Sequence, residues 1–271
     1  MLFTRPDGTR CTDVPATRRI MPFIMPTRNE SAVYFEQRID LSETLRFIET
    51  FNAAHPDTRV TVFHVVLWAA VRAIAARPRL NRFVMGGRLW QRDGIWVSYS
   101  AKKAMRDDAP IVVLKRRFEP AMTFEELVQF VYADVRTGKS DEKSHVDKEL
   151  SLFLSVPATV LRWAVGLLRW LDSWNLLPGS FIHPDPMYAS IFVANLGSVK
   201  LDSAYHHLYE YGTIPIFAVI GRTERTTTLD EDGKPATRPT CSIKYSLDER
   251  VEDGLYCARA LELLREKLEH P

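Results

Sequence analysis

Apolar and polar positions follow two different periods along this chain, and together they predict strands interleaved with helices. Alternating or short apolar runs bounded by turn residues predict strands over 32–39, 82–91, 95–101, 111–118, 188–194, 214–221 and 241–247. Apolar residues at helical spacing predict helices over 42–54, 61–76, 124–138, 157–177 and 253–269. This interleaving predicts an α/β or α+β protein built on one mixed sheet.

Turn and loop signals divide these segments. The tripeptide at 92–94 predicts a hairpin between the second and third strands, and residues 230–235 predict the tip of a hairpin before the last strand. The first thirty residues are rich in proline, arginine and threonine and predict an irregular arm. Residues 139–149 are highly charged and predict a linker.

Composition limits the function classes. With 271 residues, of which 46% are hydrophobic and 26% charged, the chain suits one large domain or two small ones. A formal net charge of +2 offers no electrostatic basis for binding nucleic acid. Cys11, Cys241 and Cys257 are too few and too dispersed for a disulfide framework or a zinc site. Because Arg5 interrupts the apolar start, we expect no secretory signal and a cytoplasmic protein.

The segment 246–256, S-L-D-E-R-V-E-D-G-L-Y, joins the last predicted strand to the C-terminal helix. A strand that leads through D-x-R-x-x-D-G into a helix resembles the active-site signature of the chloramphenicol acetyltransferase-like superfamily. Its closest form is the catalytic domain of the dihydrolipoamide acyltransferases. Four further segments resemble that domain in the matching order: 31–41, 61–81, 190–197 (S-I-F-V-A-N-L-G) and 214–221 (I-P-I-F-A-V-I-G).

The resemblance covers residues 18–271 and leaves 1–17 as an N-terminal arm. It implies a two-layer α+β sandwich, with a mixed sheet flanked by helices. It also implies a homotrimer whose active sites lie between subunits, in a channel entered by a coenzyme A thioester and by an acceptor. Because no lipoyl or subunit-binding module accompanies the domain, we expect a stand-alone protein and not the core of a 2-oxo acid dehydrogenase complex.

In that family the signature histidine is the general base, and a serine or threonine hydroxyl before N-L-G stabilises the oxyanion. The signature aspartate mainly supports the turn. In this chain Arg250, Asp253 and Gly254 match the signature. The histidine, however, is replaced by Glu249, and the oxyanion hydroxyl is replaced by Ala194.

These two replacements weaken the expected chemistry. A carboxylate with a reference pKa of about 4.3 is a weaker base than an imidazole at about 6.5, which makes proton abstraction harder by roughly 3 kcal/mol. Loss of an oxyanion donor removes about 2.7–4 kcal/mol of transition-state stabilisation. A backbone N–H, Asn195 or Ser198 is a candidate replacement for that donor. For Glu249 the alternative is a solvated or salt-bridged residue without a chemical role.

A second stretch with chemical potential is A-Y-H-H-L-Y-E-Y-G at 204–212. The neighbouring His206 and His207 precede a glutamate by four and three residues, which is a candidate imidazole–carboxylate base. We hypothesise that one of these histidines supplies the missing base, together with Glu249 of a neighbouring subunit. The alternative is that both histidines pack a loop with the tyrosines around them. A metal site here lacks a third ligand at suitable spacing.

The predicted helix at 157–177 is unusually apolar, with three tryptophans among leucines and with Arg162 and Arg169 seven residues apart. Its charges make it unsuitable to span a membrane. Three interpretations stay open, of which burial in the assembly is favoured. They are core packing, an oligomer contact, and an interfacial helix that touches a membrane surface or holds a long acyl chain.

Two functions from different classes follow. The first is a stand-alone acyltransferase that uses a coenzyme A thioester and no bound cofactor, with Glu249 or a histidine from 206–207 as base. The second is a catalytically silent member of the fold that serves as a trimeric scaffold or binding module. The intact turn around Glu249 favours the first.

Overall fold

The computed structural model of the chain describes residues 4–102, 111–139, 156–229 and 232–271. Its strands are β1 (Gly8–Arg10), β2 (Ala32–Asp40), β3 (Arg82–Met85), β4 (Arg88–Arg92), β5 (Ile95–Lys102), β6 (Ile111–Phe118), β7 (Ile191–Asn195), β8 (Ile216–Leu229) and β9 (Pro235–Asp248). Its helices are α1 (Ala16–Ile24), α2 (Ser42–Ala54), α3 (Val62–Ala76), α4 (Phe124–Lys139), α5 (Ala158–Ser173), α6 (Gly179–Ile182) and α7 (Gly254–Glu269).

Six strands form the main sheet in the order β2-β9-β8-β7-β5-β6. β7 pairs in parallel with β5 and β8, whereas the other neighbours are antiparallel, so the sheet is mixed, as predicted. β9 lies between β2 and β8, with Ile243 opposite Gln37 on one side and Ile220 on the other. The signature turn therefore leaves the sheet from a strand that is paired on both edges.

The main core lies between this sheet and helices α2, α3, α4 and α7. Successive side chains of a strand point to opposite faces, and β9 contributes Ile243, Tyr245 and Leu247 to the helical face. α3 is apolar on nearly all sides because it packs against β5, α2, α4 and α7. The result is the two-layer α/β arrangement that the sequence predicts.

The opposite face of the sheet is covered by the segment between β7 and β8 instead of by this helical layer. Phe192, Phe217 and Val219 point to this face and form a smaller core with Leu208 and Ile214 of that segment. We call this side of the sheet the open face. The segment leaves part of the open face accessible, and the candidate site lies there.

The predicted hairpin between 82–91 and 95–101 is wrong. The first of these segments is itself a hairpin, in which β3 pairs with β4 around Gly86 and Gly87. Both glycines have positive φ, +59° and +67°, as a two-residue hairpin turn requires. β4 then joins β1 in a separate three-stranded sheet, whereas β5 enters the main sheet.

The prediction of an irregular arm over the first thirty residues is also wrong in part, because this region contains β1 and α1. Arg5 is buried, and its guanidinium bonds to Asp7 at 2.9 Å and to Asp172 at 2.7 Å. Arg92 joins the same network through Asp7 at 3.4 Å. A buried network of this kind ties the N-terminal residues to the rest of the chain. The domain boundary drawn at residue 18 stays a prediction.

Two further boundaries differ from the sequence prediction. The apolar helix ends at Ser173 and not at 177, because Asn175 adopts the left-handed conformation with a φ of 58°. The strand predicted at 214–221 continues as β8 to Leu229. The predicted linker beyond Lys139 and the first two residues of the tip at 230–235 lie outside the described residues.

Candidate active site

The arginine of the signature is a structural residue of the turn. Arg250 is buried, and its Nε and Nη2 donate to the two carboxylate oxygens of Asp248 at 2.8 and 2.7 Å. Its Nη1 donates to the carbonyls of Met25 and Pro26 at 3.0 and 3.1 Å. Ser31 Oγ also donates to the Asp248 carboxylate, at 3.0 Å. This network attaches the end of β9 to the segment between α1 and β2.

The signature aspartate caps the helix that follows. Asp253 Oδ1 accepts from the backbone N–H of Tyr256 at 2.9 Å, which satisfies one of the unpaired donors at the start of α7. This bond is the main reason that the pKa of Asp253 lies below its ordinary value. A side chain at Gly254 would meet no atom within 4 Å, so the local backbone does not require glycine there.

Glu249 lies on the exposed surface of the turn. Its backbone is held at both groups: its N–H donates to the Ser31 carbonyl at 2.9 Å, and its carbonyl accepts from Arg18. Its carboxylate makes no hydrogen bond or ion pair within the described parts of the chain. The turn therefore presents this carboxylate without a partner among the described residues of the same subunit.

The N-L-G segment forms a tight turn at the end of β7. Asn195 Oδ1 accepts from the Ser198 N–H at 3.2 Å, and Ser198 Oγ donates to the Asn195 carbonyl at 2.8 Å. A Cβ at Gly197 would lie 2.4 Å from the Gly221 carbonyl oxygen, so the close approach to β8 requires glycine. Ser198 therefore uses its hydroxyl proton in a hydrogen bond inside the turn. Within the described residues, the Asn195 amide nitrogen donates no hydrogen bond.

The two histidines lie on the open face with a defined tautomer. His206 Nδ1 is 2.7 Å from the His207 carbonyl oxygen, and His207 Nδ1 is 3.1 Å from the Leu208 carbonyl oxygen. A carbonyl oxygen only accepts, so each Nδ1 must carry the proton. The Nε2 atom of each neutral ring is then the unprotonated nitrogen, which is the form that a general base needs.

Aromatic packing fixes the two rings. His206 stacks on Phe217 with ring centroids 3.9 Å apart and on His207 at 4.6 Å. Tyr209 contacts both imidazoles, at 5.5 and 5.3 Å. Partial burial lowers the pKa of His206 below its ordinary value, which favours its neutral form at physiological pH.

The expected imidazole–carboxylate pair does not form, and this part of the hypothesis is wrong. The Glu210 carboxylate accepts from the backbone N–H groups of Arg28 and Asn29 at 3.2 and 3.0 Å, and from the Asn29 amide at 2.8 Å. These bonds lower the pKa of Glu210 against the effect of burial. Glu210 therefore fixes the loop to the segment before β2 and does not orient either histidine.

The structure packs His206 against the small core that also contacts Ala194, the position of the family's oxyanion hydroxyl. Ala194 belongs to the same small core as Phe217, on which His206 stacks. Ser246 Oγ donates to the His206 carbonyl, so the loop also contacts β9 three residues before Glu249. No hydrogen bond or ion pair joins the Glu249 carboxylate to either imidazole within the described residues.

Polar residues of β2 and β9 surround this loop, and the sequence analysis did not select them. Lys244 Nζ donates to the Ser203 carbonyl at 3.1 Å and lies 5.0 Å from the Tyr205 ring centroid. Tyr34 meets Tyr205 edge to face at 5.5 Å. The available signal was the alternation in β9, which places Lys244 on the face opposite the main core.

A second group that the sequence analysis missed lies at the other edge of the sheet. Lys115 Nζ donates to the Ile182 carbonyl at 3.0 Å and lies 4.8 Å from the Trp96 ring centroid. Burial lowers the pKa of Lys115 to about 7. Burial likewise raises the pKa of Asp185, which accepts from Tyr211 at 2.7 Å. The charges that act on Lys115 are those of Arg92, Asp185 and Asp7.

The described ranges contain neither a cluster suited to a metal ion nor a helix suited to span a membrane. No group of three or more histidine, cysteine, aspartate or glutamate side chains there is arranged to hold a metal ion. No helix there combines the length and apolar character that spanning a membrane requires.

Comparisons with solved structures identify the fold. The cubic core of a pyruvate dehydrogenase multienzyme complex matches with a TM-score of 0.63 and 13% identity, over 97% of this chain and 93% of that chain. The dihydrolipoamide acetyltransferase of Azotobacter vinelandii matches with a TM-score of 0.62 and 14% identity over the same shares. A chloramphenicol acetyltransferase matches at 0.53 and 12%, over 95% of each chain. No protein-family profile and no curated protein matches the sequence.

The chain therefore has the chloramphenicol acetyltransferase-like fold. Among the forms of that fold, it is similar to the catalytic cores of the dihydrolipoamide acetyltransferases, as the signature turn and the N-L-G strand predict. At 12–14% identity the fold is the shared property, and the chemistry of this chain rests on its own residues.

Proposed function

We propose that this protein is a stand-alone acyltransferase that moves an acyl group from a coenzyme A thioester to an acceptor thiol or hydroxyl. The Nε2 atom of His206 or His207 accepts the proton of the acceptor, whose sulfur or oxygen attacks the thioester carbonyl. The carbon–sulfur bond then breaks, and the leaving thiolate of coenzyme A takes up that proton. The observation that carries the proposal is the pair of Nδ1–carbonyl contacts, which leaves each Nε2 free to act as a base.

Two further groups complete the proposed site. The Asn195 amide nitrogen replaces the missing hydroxyl at Ala194 as the oxyanion donor, because the other side of this amide is held by the turn. Glu249 belongs to the site of a neighbouring subunit in a homotrimer, since its carboxylate has no partner in its own subunit among the described residues. We propose a cytoplasmic location, as the sequence predicts.

The test is the release of free thiol from acetyl-coenzyme A and from longer acyl thioesters, with a panel of thiol and hydroxyl acceptors. His207→Asn and His206→Asn keep a side-chain N–H for the backbone carbonyl but remove the base at Nε2. We expect one of them to lower kcat by about 10²–10⁴-fold in a variant that remains folded at the assay temperature. Leu201→Ala, at an exposed position of the same β7–β8 segment, is the matched control and keeps full activity.

The pH profile separates the two histidines from other bases. A general base works only above its pKa, and burial keeps the pKa of His206 below its ordinary value. If His206 is the base, kcat/KM stays level as the pH falls to 6.5 and decreases only below it. Absence of turnover with every donor, together with absence of coenzyme A binding in calorimetry, overturns the acyltransferase proposal.

One observation favours a second function, a catalytically silent trimeric scaffold or binding module. Both residues that the fold family uses for chemistry are replaced, by Glu249 and Ala194. A scaffold keeps the oligomer without turnover, so light scattering and the thiol-release assay together decide between the two functions. A trimer with neither turnover nor coenzyme A binding supports the scaffold. A monomer at micromolar concentration would contradict a channel shared between subunits, on which both functions depend.

A further inference from the structure

Helix α5 exposes a continuous apolar stripe. Trp163 is 81% exposed, and four more large apolar side chains on the same face are exposed by about half. Spacings of three and four residues place them one above another along the helix axis. The stripe consists of Val160, Trp163, Leu167, Trp170 and Trp174.

The opposite side of α5 packs against the rest of the protein. Leu168 and Leu171 pack against a small core that contains Leu177, Ile182 and Tyr188. The stripe therefore takes no part in the packing of the described residues. Exposed apolar surface of this extent on one helix marks an interaction surface.

On its exposed side, α5 carries only positive charges. Arg162 and Arg169 are exposed and form no hydrogen bond or ion pair within the described residues. The acidic residue of the helix, Asp172, is buried and neutralised by Arg5 at 2.7 Å. An apolar stripe with tryptophans, bordered by arginines and free of carboxylates, is complementary to an anionic lipid interface.

Helix α1 continues this surface with the same composition. It contains no acidic residue, and its Ile20, Phe23 and Ile24 are 50–68% exposed beside Arg19. The turn at Gly86–Gly87 connects the two helices: a Cβ at Gly87 would touch Phe23, and a Cβ at Gly86 would meet the backbone of Ser173. The glycine turn thus lies between Phe23 of α1 and the C-terminal end of α5 at Ser173.

A cavity of about 230 Å³ opens at this junction and carries more positive than negative charge. Its lining includes Arg28, Arg169 and Arg250, opposed by Asp172 and Glu210. Arg28 is buried with backbone carbonyls as its acceptors, and burial lowers its pKa. An acidic headgroup beside the cavity would be attracted to this excess of positive charge.

A second copy of this chain fits the stripe less well. In a closed trimer each contact joins two different surfaces, so the stripe would need an apolar partner surface elsewhere. Outside α1, α5 and the residues that flank α5, the exposed large aliphatic side chains of the described residues lie on separate elements and form no comparable stripe: Ile111, Val199, Leu201, Leu229 and Leu255. The lipid surface is therefore the occupant that the charges and the tryptophans favour.

We propose that the face formed by α1 and α5 docks onto an anionic lipid surface, with the tryptophans at headgroup depth and the arginines against acidic headgroups. At 16 residues α5 is about 24 Å long and lies along the membrane plane. This inference does not depend on the acyltransferase proposal, because the binding surface and the histidines belong to different elements. It does, however, give a reason to expect that the acyl substrate is lipid-like.

The test is flotation of the full chain with vesicles of phosphatidylcholine alone or mixed with phosphatidylglycerol. We expect binding to the mixed vesicles, weakened by added salt, and a blue shift of the tryptophan emission. Trp163→Ser with Trp170→Ser should weaken binding by roughly tenfold or more, and Arg162→Gln with Arg169→Gln should remove the preference for the anionic lipid. Leu229→Ser, an equally exposed apolar position on β8, is the matched control and binds as the parent does.

Three results would overturn the proposal. They are absence of vesicle binding by the parent chain, equal binding to both vesicle types, and unchanged binding of the double tryptophan variant. Because the altered side chains are exposed, the urea midpoint of each variant should equal that of the parent, which separates loss of docking from unfolding. If the parent chain does not bind vesicles and the tryptophan variant has a smaller oligomeric state, the stripe is instead a contact between copies.

Discussion

Replacing Arg250 with methionine tests whether the signature turn is structural. The guanidinium and the Asp248 carboxylate form a bidentate pair in which both side chains are at most 3% exposed. Removing one partner of a buried pair leaves the other charge uncompensated, which costs about 3–5 kcal/mol. For a domain of ordinary stability, about 5–15 kcal/mol, this is a large share of the free energy of unfolding.

The measurement is urea unfolding at neutral pH, followed by far-UV circular dichroism. We expect Arg250→Met to lower the midpoint strongly with little change in slope, since the surface exposed on unfolding stays similar. Arg265→Met is the matched control: its pair with Glu262 is exposed on α7 and contributes less than about 1 kcal/mol. The same change in side-chain volume and charge should therefore be nearly neutral there.

A double-mutant cycle separates the pair from its surroundings. Asp248→Asn removes the uncompensated charge but keeps an oxygen for the Ser31 hydroxyl and the Arg250 backbone N–H. Combined with Arg250→Met, it should recover part of the lost stability, so that the two changes are not additive. A loss below about 1 kcal/mol for Arg250→Met, or strictly additive effects, would refute the structural role of this pair.

Two further predictions concern histidine protonation and the helix cap. Burial lowers the pKa of His64 to about 4, so between pH 6.5 and 4 the unfolded chain binds this proton and the folded chain does not. The free energy of unfolding should fall by about 3 kcal/mol over that range in urea titrations, and His64→Gln, which retains an acceptor for the Thr61 N–H, should abolish this dependence. Asp253→Ala should lower stability by about 1 kcal/mol in thermal unfolding, and Asp253→Asn should be nearly neutral. Loss of acyl transfer in a stable Asp253→Asn variant would contradict a role limited to capping.

Most of the sheet and its helical layer could be predicted from the sequence because burial imposes a period on the residues. β9 alternates cleanly, since one face meets α3 and α7 and the other meets a loop. The alternation of buried residues does not show which strands pair with one another. The hairpin at Gly86–Gly87 was missed because the apolar pattern on either side reads as one continuous strand, and β5 pairs with β7 nearly one hundred residues later.

The N-terminal strand was missed for a related reason. Arg5 is held by an ion pair with Asp172, which lies 167 residues further along the chain. The residues around Arg5 give no indication of so distant a partner. A segment rich in arginine and proline then resembles a solvated arm. The burial of a charged residue becomes interpretable only when its partner is known.

For the candidate site, the sequence identified the residues of the signature turn and of the histidine loop but not their bonding. The cap by Asp253 could be predicted, because an aspartate before a helical period is a local signal. The partner of Glu210 could not, since its carboxylate binds Arg28 and Asn29, which are more than 180 residues away. The tautomer of His206 and His207 also follows from loop conformation, because each Nδ1 faces a backbone carbonyl of the same loop.

The position of the two histidines determines where an acceptor must bind in order to react with them. The His206 carbonyl accepts from Ser246 of β9, three residues before Glu249, but neither imidazole bonds to the Glu249 carboxylate among the described residues. An imidazole of 206–207 therefore does not substitute directly for a base at 249 in the same subunit. Chemistry at the histidines therefore requires an acceptor that enters over the open face, beside Tyr34 and Tyr205.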